Sequence, residues 1–142
     1  MAPGRPPAPA IGGNTMFGFV ITADDRPGMV ATATEAAARA GVNLRAISGM
    51  ANGTTGMLAL VGDDDAKLRA ALAATGLQVR EVELVTIDAE DRVGSGAELA
   101  RRLADRGVNL ELLLQISHTG SQVEVAIGAT DTAALRAALA QP

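Results

Sequence analysis

The sequence predicts an α+β fold of two consecutive ferredoxin-like units, each an antiparallel sheet with helices on one face. The first observation is a loop that occurs twice, at 24–28 and at 90–94, each time between an apolar strand-like run and a helix-like run. The second is that the residues around the two loops match without gaps, from Ala23 on Ala89 through Leu44 on Leu110. Such self-similarity indicates an internal repeat.

Composition and charge exclude several classes of function. The chain has 142 residues, a net charge of -4, two Phe, and no Trp, Tyr or Cys. Aromatic platforms for stacking nucleic-acid bases are scarce and the charge balance is acidic, so neither a nucleic-acid nor an anionic membrane partner is expected. The lack of cysteine excludes disulfides and thiolate metal ligands. No apolar run approaches the roughly 18 residues of a membrane-spanning helix.

The N-terminal residues 1–15 are rich in Pro, Ala and Gly, a composition typical of a disordered tail. They lack the apolar core of about 7–15 residues that a secretory signal requires, so a cytoplasmic protein is expected. The first domain is predicted at 16–82 and the second at 83–142.

The first unit can be assigned element by element. The run 16–23 is apolar and β-branched like a strand, and it must stop before Pro27. The Ala-rich run 29–40 has helical spacing, and Gly41 follows where a helix C′ glycine belongs. A strand at 43–50 and a strand at 57–61 follow, joined by a hairpin turn at 51–56 that contains Asn52-Gly53. A helix at 63–74 and a long extended segment at 77–87 complete the unit. The acids Asp63, Asp64 and Asp65 are interpreted as a helix cap and as charges favourable to the helix dipole, not as a cation site.

The second unit repeats this order with a one-residue insertion and without the last strand. Gly62 is matched to Gly128, and 68–72 matches 135–139 after the insertion. Almost no linker separates the copies, so 77–87 is expected to be both the last strand of the first copy and the first of the second. A free sheet edge has to be covered. We therefore expect a homodimer with pooled or exchanged strands.

The order strand, Asp-Arg-Pro-Gly, helix, Gly-Val-Asn-Leu, hairpin and helix resembles the ACT domain, here in tandem. The resemblance covers nearly all of 17–141, and 107–127 is also similar to the regulatory ACT segments of aspartokinases. It implies a regulatory protein that binds an amino acid or a similar metabolite where the first loop and helix N-terminus meet a neighbouring domain's second strand.

The resemblance also implies which residues contact the ligand. These residues are Asp25 and Asn43 in the first copy and Asp91 and Asn109 in the second. The full predicted sites add the neighbouring loop residues Asp24, Arg26, Pro27, Gly28, Met29, Arg92, Gly94 and Ser95. Val93 replaces the loop proline in the second copy, and Ala23 and Ala89 stand where some serine-sensing members carry histidine.

The chemistry of these residues suits a zwitterion. Unpaired backbone N–H groups at a helix N-terminus favour a carboxylate, and an ionised Asp25 or Asp91 could take an ammonium group. The amides of Asn43 and Asn109 both donate and accept, and could bridge the two from across an interface. Pro27 stiffens the first loop, so that loop is favoured if only one site binds.

Structural interpretations of the same residues remain open. Each loop aspartate could simply cap its helix, each asparagine could satisfy loop backbone groups, and each loop arginine could form a surface or interface salt bridge.

Catalysis is not expected. His118, the single histidine, lies beside Ser117, but nucleophilic chemistry also needs an orienting acid and a fixed geometry. Lys67 is the single lysine, no Gly-rich stretch forms a phosphate-binding motif, and neither a metal nor a cofactor site is apparent. The expected function is a stand-alone sensor that alters its association with a partner. The alternative is a ligand-free dimerisation module that docks on a partner enzyme.

Overall fold

The computed structural model describes residues 11–12 and 15–141, which form six strands and four helices in an α+β fold. The elements are β1 (Met16–Asp24), α1 (Met29–Arg39), β2 (Leu44–Asn52), β3 (Thr55–Gly62), α2 (Asp65–Ala73), β4 (Gln78–Glu90), α3 (Ser95–Asp105), β5 (Leu110–Thr119), β6 (Gln122–Ala129) and α4 (Thr132–Ala140). The chain divides into a first unit, Met16–Val82, and a second that contains the chain from Glu83 onward and the described residues before Met16. The boundary falls inside β4.

The first unit has its strands in the order β2-β3-β1, with β4 beside β1. The pairs β2–β3 and β1–β3 are antiparallel. Successive strand residues point to opposite faces, so alternate residues of β1 and β3 form one apolar face. That face packs on α1 through small alanines and on α2 through leucines. The fully buried side chains include Phe19, Ile21, Leu60, Leu68 and Leu72.

The second unit has its strands in the order β4-β6-β5, again antiparallel. Its element order β4-α3-β5-β6-α4 repeats the order of the first unit. The core comes from the same places, with Ile87 and Ile127 from the strands, Leu103 from α3, and Leu135 and Leu139 from α4. The predicted element types are therefore present in both units.

A bulge in β5 absorbs the one-residue insertion of the second unit. β2 and β5 both have a register shift near their first residues, but β5 has another between Gln115 and Ser117. Two residues of β5 then oppose one of β6, which is how a bulge accommodates an extra residue. The inserted residue is Ile116.

The position of this bulge corrects the match of Gly62 with Gly128. Leu44 pairs with Gly62, and the corresponding Leu110 pairs with Ala129, so Gly62 corresponds to Ala129. The mismatch arose because sequence comparison placed the insertion after β6, whereas the structure places it before β6.

The acidic run at the start of α2 divides among three structural roles. Asp64 is the N-cap, and its side chain accepts a hydrogen bond at 3.0 Å from the backbone N–H three residues on. Asp63 accepts at 3.0 Å from the backbone N–H of Asn43. Asp65 accepts at 3.2 Å from the N–H of Phe17, and burial raises the pKa of its carboxyl group. The capping interpretation is confirmed for Asp64.

Part of the predicted N-terminal tail lies along β4. Residues 1–10 and 13–14 lie outside the described part of the chain. Ile11 forms an antiparallel bridge with Ile87, and the N–H of Gly12 donates to the carbonyl of Thr86 at 2.9 Å. β6 pairs with the same stretch of β4 from its other side. Residues of the same chain thus cover part of the edge for which a second protomer was expected.

Candidate binding site

Each strand–helix loop ends in a glycine that begins the helix. Gly28 and Gly94 are the N-caps of α1 and α3, with φ of 97° and 93°, a region that favours glycine. No side chain caps either helix. Asp25 and Asp91 therefore do not act as helix caps, and the capping interpretation of these two residues is wrong.

A hydrogen bond to the hairpin turn fixes the start of each loop. The N–H of Asp25 donates at 2.8 Å to the carbonyl of Thr54, and the N–H of Asp91 donates at 2.8 Å to that of Ser121. Both acceptors are in two-residue turns whose first residue is a glycine with φ of 61°. The backbone thus holds both loops in the same way.

The loop of the first unit exposes its charged side chains. Asp24, Asp25, Arg26, Pro27 and Gly28 are exposed, and Met29 is half-buried. Among the described residues, no ion pair involves either aspartate or the arginine. The first turn of α1 contains no acidic residue. The first loop therefore presents one cationic and two anionic groups to the surroundings.

The loop of the second unit pairs its arginine internally. Arg92 Nη1 and Nη2 donate to the two carboxylate oxygens of Glu98 at 2.9 and 2.6 Å, and Nε donates to Glu90 at 3.1 Å. Two parallel bonds of this kind are the strongest geometry of an arginine–carboxylate pair. They lower the pKa of Glu98 and raise the pKa of Arg92. Thr32 is the matching residue of the first unit, and its Oγ1 donates to the Gly28 carbonyl at 3.0 Å.

The aspartate of the second loop also has a partner. Asp91 Oδ2 lies 3.0 Å from Nε2 of His118 on β5. Ser117 donates to Glu124 at 3.1 Å rather than to the histidine. The neighbouring Ser117 and His118 thus engage different acids, which is not the arrangement of a nucleophile and its base.

Within a unit, the predicted aspartate and asparagine lie at opposite ends of the sheet. Asp24, next to Asp25, pairs with Thr55 at the start of β3, whereas the residue after Asn43 pairs with Gly62 at its end. Seven residues of strand separate the two ends by about 23 Å.

The second unit has the same separation. Asp91 bonds to the hairpin turn, whereas the Asn109 carbonyl accepts from the N–H of Thr130 at 3.1 Å and its side chain donates to Thr130 Oγ1 at 3.1 Å. Neither unit by itself brings its two predicted contacts together.

Sequence reasoning missed the internal partners of the second loop. Glu90, Glu98 and His118 were not among the predicted site residues, although they pair with Arg92 and Asp91. Glu98 is matched by the uncharged Thr32. A position-by-position comparison of the two copies would therefore have indicated that Arg92 has an acidic neighbour that Arg26 lacks.

The described residues contain neither a cluster of metal-ligating side chains nor a membrane-spanning helix. No group of three or more His, Asp or Glu side chains is placed to hold a metal ion. The longest described helices have 11 residues, and none combines the length and hydropathy required to cross a lipid bilayer.

Comparison with known proteins gives matches among solved structures. No family model and no curated protein matches the chain. A protein of Bacteroides thetaiotaomicron is similar with a TM-score of 0.75 and 22% identity, over 88% of this chain and 86% of that one. The ligand-free regulatory subunit of aspartate kinase from Thermus thermophilus has a TM-score of 0.64 and 21% identity, over 93% and 97%. A structure of aspartokinase alpha and beta subunits gives 0.62 and 23%, over 91% and 95%.

These similarities define a class of fold. The chain has the ACT-type fold of the regulatory subunits of aspartate kinase, as its sequence motifs indicated. Regulatory subunits of aspartate kinase from Thermus thermophilus and Thermus flavus are among the structures that share this fold.

Proposed function

We propose that the chain consists of two ACT domains in tandem and acts as a regulatory protein without catalytic activity. It binds an amino acid or a similar small carboxylate at the loop between β1 and α1. One observation carries the proposal: Arg26 has no ion pair among the described residues, whereas the matching Arg92 holds a carboxylate with two nitrogens. The carboxylate that Arg92 binds in the second loop is therefore the kind of group that we expect Arg26 to bind in the first.

The first loop offers complementary groups for the two charges of an amino acid. The Arg26 guanidinium and the first N–H groups of α1 favour the carboxylate, and the helix dipole adds to the attraction. Asp24 and Asp25 favour the ammonium group. A Cβ added at Gly28 would meet nothing within 4 Å, so the space above the loop is open.

Asn43 contributes to this site only from a second copy or another unit, because it lies at the far end of its own sheet. β2 is an edge strand of the first unit. Antiparallel pairing of β2 with β2 of a second copy would bring each Asn43 to the hairpin end of the other, where the Asp25 loop lies. The proposed assembly is therefore a homodimer with two composite sites, and the ligand stabilises it by binding the dimer more tightly than the monomer.

The test is thermal unfolding, followed by an external dye, with each common amino acid at millimolar concentration. A ligand at 100 times its dissociation constant adds about 2.7 kcal/mol of stability, which raises the melting temperature by several degrees. Arg26→Ala and Asp25→Asn should abolish the shift. Arg101→Ala, which removes an exposed arginine paired with Asp105 on α3, is the control and should retain it. A panel without any shift would refute the sensor function.

A ligand-free dimerisation module that docks on a partner enzyme is the second candidate, favoured by the exposed side of the first unit. Met50 and Met57 are 71% and 43% exposed, and because they pair directly across β2 and β3 they lie on the same face of the sheet. Apolar side chains grouped on an edge are typical of an interaction surface. Light scattering of wild type and Met50→Lys decides: a dimer lost in the variant, together with a flat amino-acid panel, would favour this function.

A further inference from the structure

We infer that Glu98 closes the loop of the second unit to ligands, so that each chain binds one ligand and not two. The inference rests on the proposed function of the first loop, and it assigns the difference between the loops to one position, which is Thr32 in the first unit and Glu98 in the second.

The Arg92–Glu98 pair lies next to the glycine that begins α3. A Cβ added at Gly94 would be 4.0 Å from Arg92 Nη1 and 4.0 Å from Glu98 Oε1, whereas one added at Gly28 would meet nothing within 4 Å. A ligand carboxylate bound to Arg92 would have to take the place of the Glu98 carboxylate. The space that is open above the first helix is thus occupied by a side chain above the second.

The internal carboxylate competes strongly because it is covalently attached. A tethered group acts at an effective concentration of millimolar order or above, which a free metabolite must exceed. If Glu98 were displaced, its negative charge would remain beside the ligand carboxylate and repel it. Arg92 therefore prefers its own glutamate.

The other charged groups of the second loop are engaged as well. Glu90 holds the remaining Nε of Arg92, and His118 lies against Asp91. Arg92, which would bind the carboxylate of a zwitterion, and Asp91, which would bind its ammonium group, are thus both already paired with side chains of the protein. The matching Arg26 and Asp25 have no such partners among the described residues.

Exchanging the two side chains tests the inference directly. Glycine, the simplest zwitterionic probe, is titrated into ¹⁵N-labelled protein while the amide resonances of Gly28, Met29, Gly94 and Ser95 are followed. In the wild type, only the two amides of the first loop should shift saturably. Glu98→Thr should make the second loop respond with a dissociation constant within about three-fold of the first, and Thr32→Glu should weaken binding at the first loop by about ten-fold or more.

The control variant is Glu35→Thr, which removes an exposed acid of α1 that lies 3.8 Å from Arg39. It should leave both loops as in the wild type. Saturable shifts at both loops of the wild type, or a second loop that stays silent in Glu98→Thr although the first loop responds, would overturn the inference.

A readout without ligand separates this inference from the proposed function. The guanidinium protons of Arg92 should exchange slowly in the wild type and rapidly in Glu98→Thr, and those of Arg26 should become slow in Thr32→Glu. If glycine binds neither loop but these exchange rates change as stated, binding of glycine fails while the closure of the second loop stands. Unchanged exchange rates would refute the closure.

Discussion

The two strand–helix loops have the same backbone and different charge pairing. Both begin with a hydrogen bond to a hairpin turn, and both end in a glycine of nearly equal φ, 97° and 93°. The arginine at the matching place has no ion pair among the described residues in one loop and holds two glutamates in the other. Different residues thus set the shape of a loop and its capacity to bind a ligand. The glycine and the backbone hydrogen bonds set the shape, and nearby side chains decide whether the arginine can bind a ligand.

Replacing one matched core leucine at a time should produce the largest effect and test whether the two units are equally well packed. Leu68 and Leu135 occupy corresponding places on α2 and α4, and both are fully buried. Leu68→Ala and Leu135→Ala should each lower the free energy of unfolding by about 2–5 kcal/mol, through lost burial and the cavity left behind. Urea unfolding followed by circular dichroism measures this.

The control for that pair is Ala70→Ser, on the exposed side of α2. It should change the free energy of unfolding by less than about 0.5 kcal/mol. A loss below about 1 kcal/mol for either leucine would contradict equal packing.

A smaller effect is expected where the two cores differ by one methyl group. In the first unit, a Cβ at Gly62 would lie 2.7 Å from Val42 Cγ1 and 3.0 Å from Leu68 Cδ2, whereas the second unit has Ala129 at the corresponding place. Gly62→Ala should cost about 1–3 kcal/mol by overpacking.

The reverse change, Ala129→Gly, should cost only about 0.5–1 kcal/mol, through lost burial and added chain entropy. Urea unfolding of both variants checks the pair. A neutral Gly62→Ala would show that Val42 and Leu68 repack freely, and the two cores would then be interchangeable here.

The smallest effect is a pH dependence confined to the second loop. The pKa of Glu98 is lowered by its bonds to Arg92, so its contribution is present above the ordinary range of a glutamate and is lost as the pH falls through the lowered value. Glu98→Gln should therefore melt below the wild type at pH 7, and the difference should shrink as the pH falls below the ordinary range of a glutamate. Glu35→Gln, which removes an exposed acid of α1 and leaves the second loop intact, is measured alongside as the control. A difference that grows towards acid pH would contradict the pairing.

Much of the fold follows from local sequence signals. Alternation in the strands, helical spacing of apolar residues, and punctuation by Gly41 and Asn52-Gly53 predict the types and order of the elements. The ends of the strands were predicted less accurately than their order, because β4 extends to Glu90 and the sequence predicted an end at Ile87. The one-residue insertion was placed after β6, and not at Ile116, because a bulge changes strand pairing without leaving a turn-forming residue in the sequence.

For the candidate site, the loop backbone was predictable from the sequence, but the pairing of its charged side chains was not. The loop and the start of α1 follow from Gly28. The ion pairs of Arg92 depend on which rotamers reach which carboxylates, and this is a property of packed side chains. The distance between Asp25 and Asn43, however, follows from topology, because parallel strands joined by a helix begin at the same end of a sheet.

The bridge between Ile11 and Ile87 has a consequence for folding during synthesis. All of the first unit lies between these two residues along the chain, so this contact closes a long loop, and such contacts form slowly. All strands and helices of the first unit have been synthesised by the time the first residues of β4 leave the ribosome. Ile11 and Gly12, although made before the first unit, acquire their partners only when Thr86 and Ile87 have emerged, and they are therefore fixed in place later than the strands and helices of the first unit.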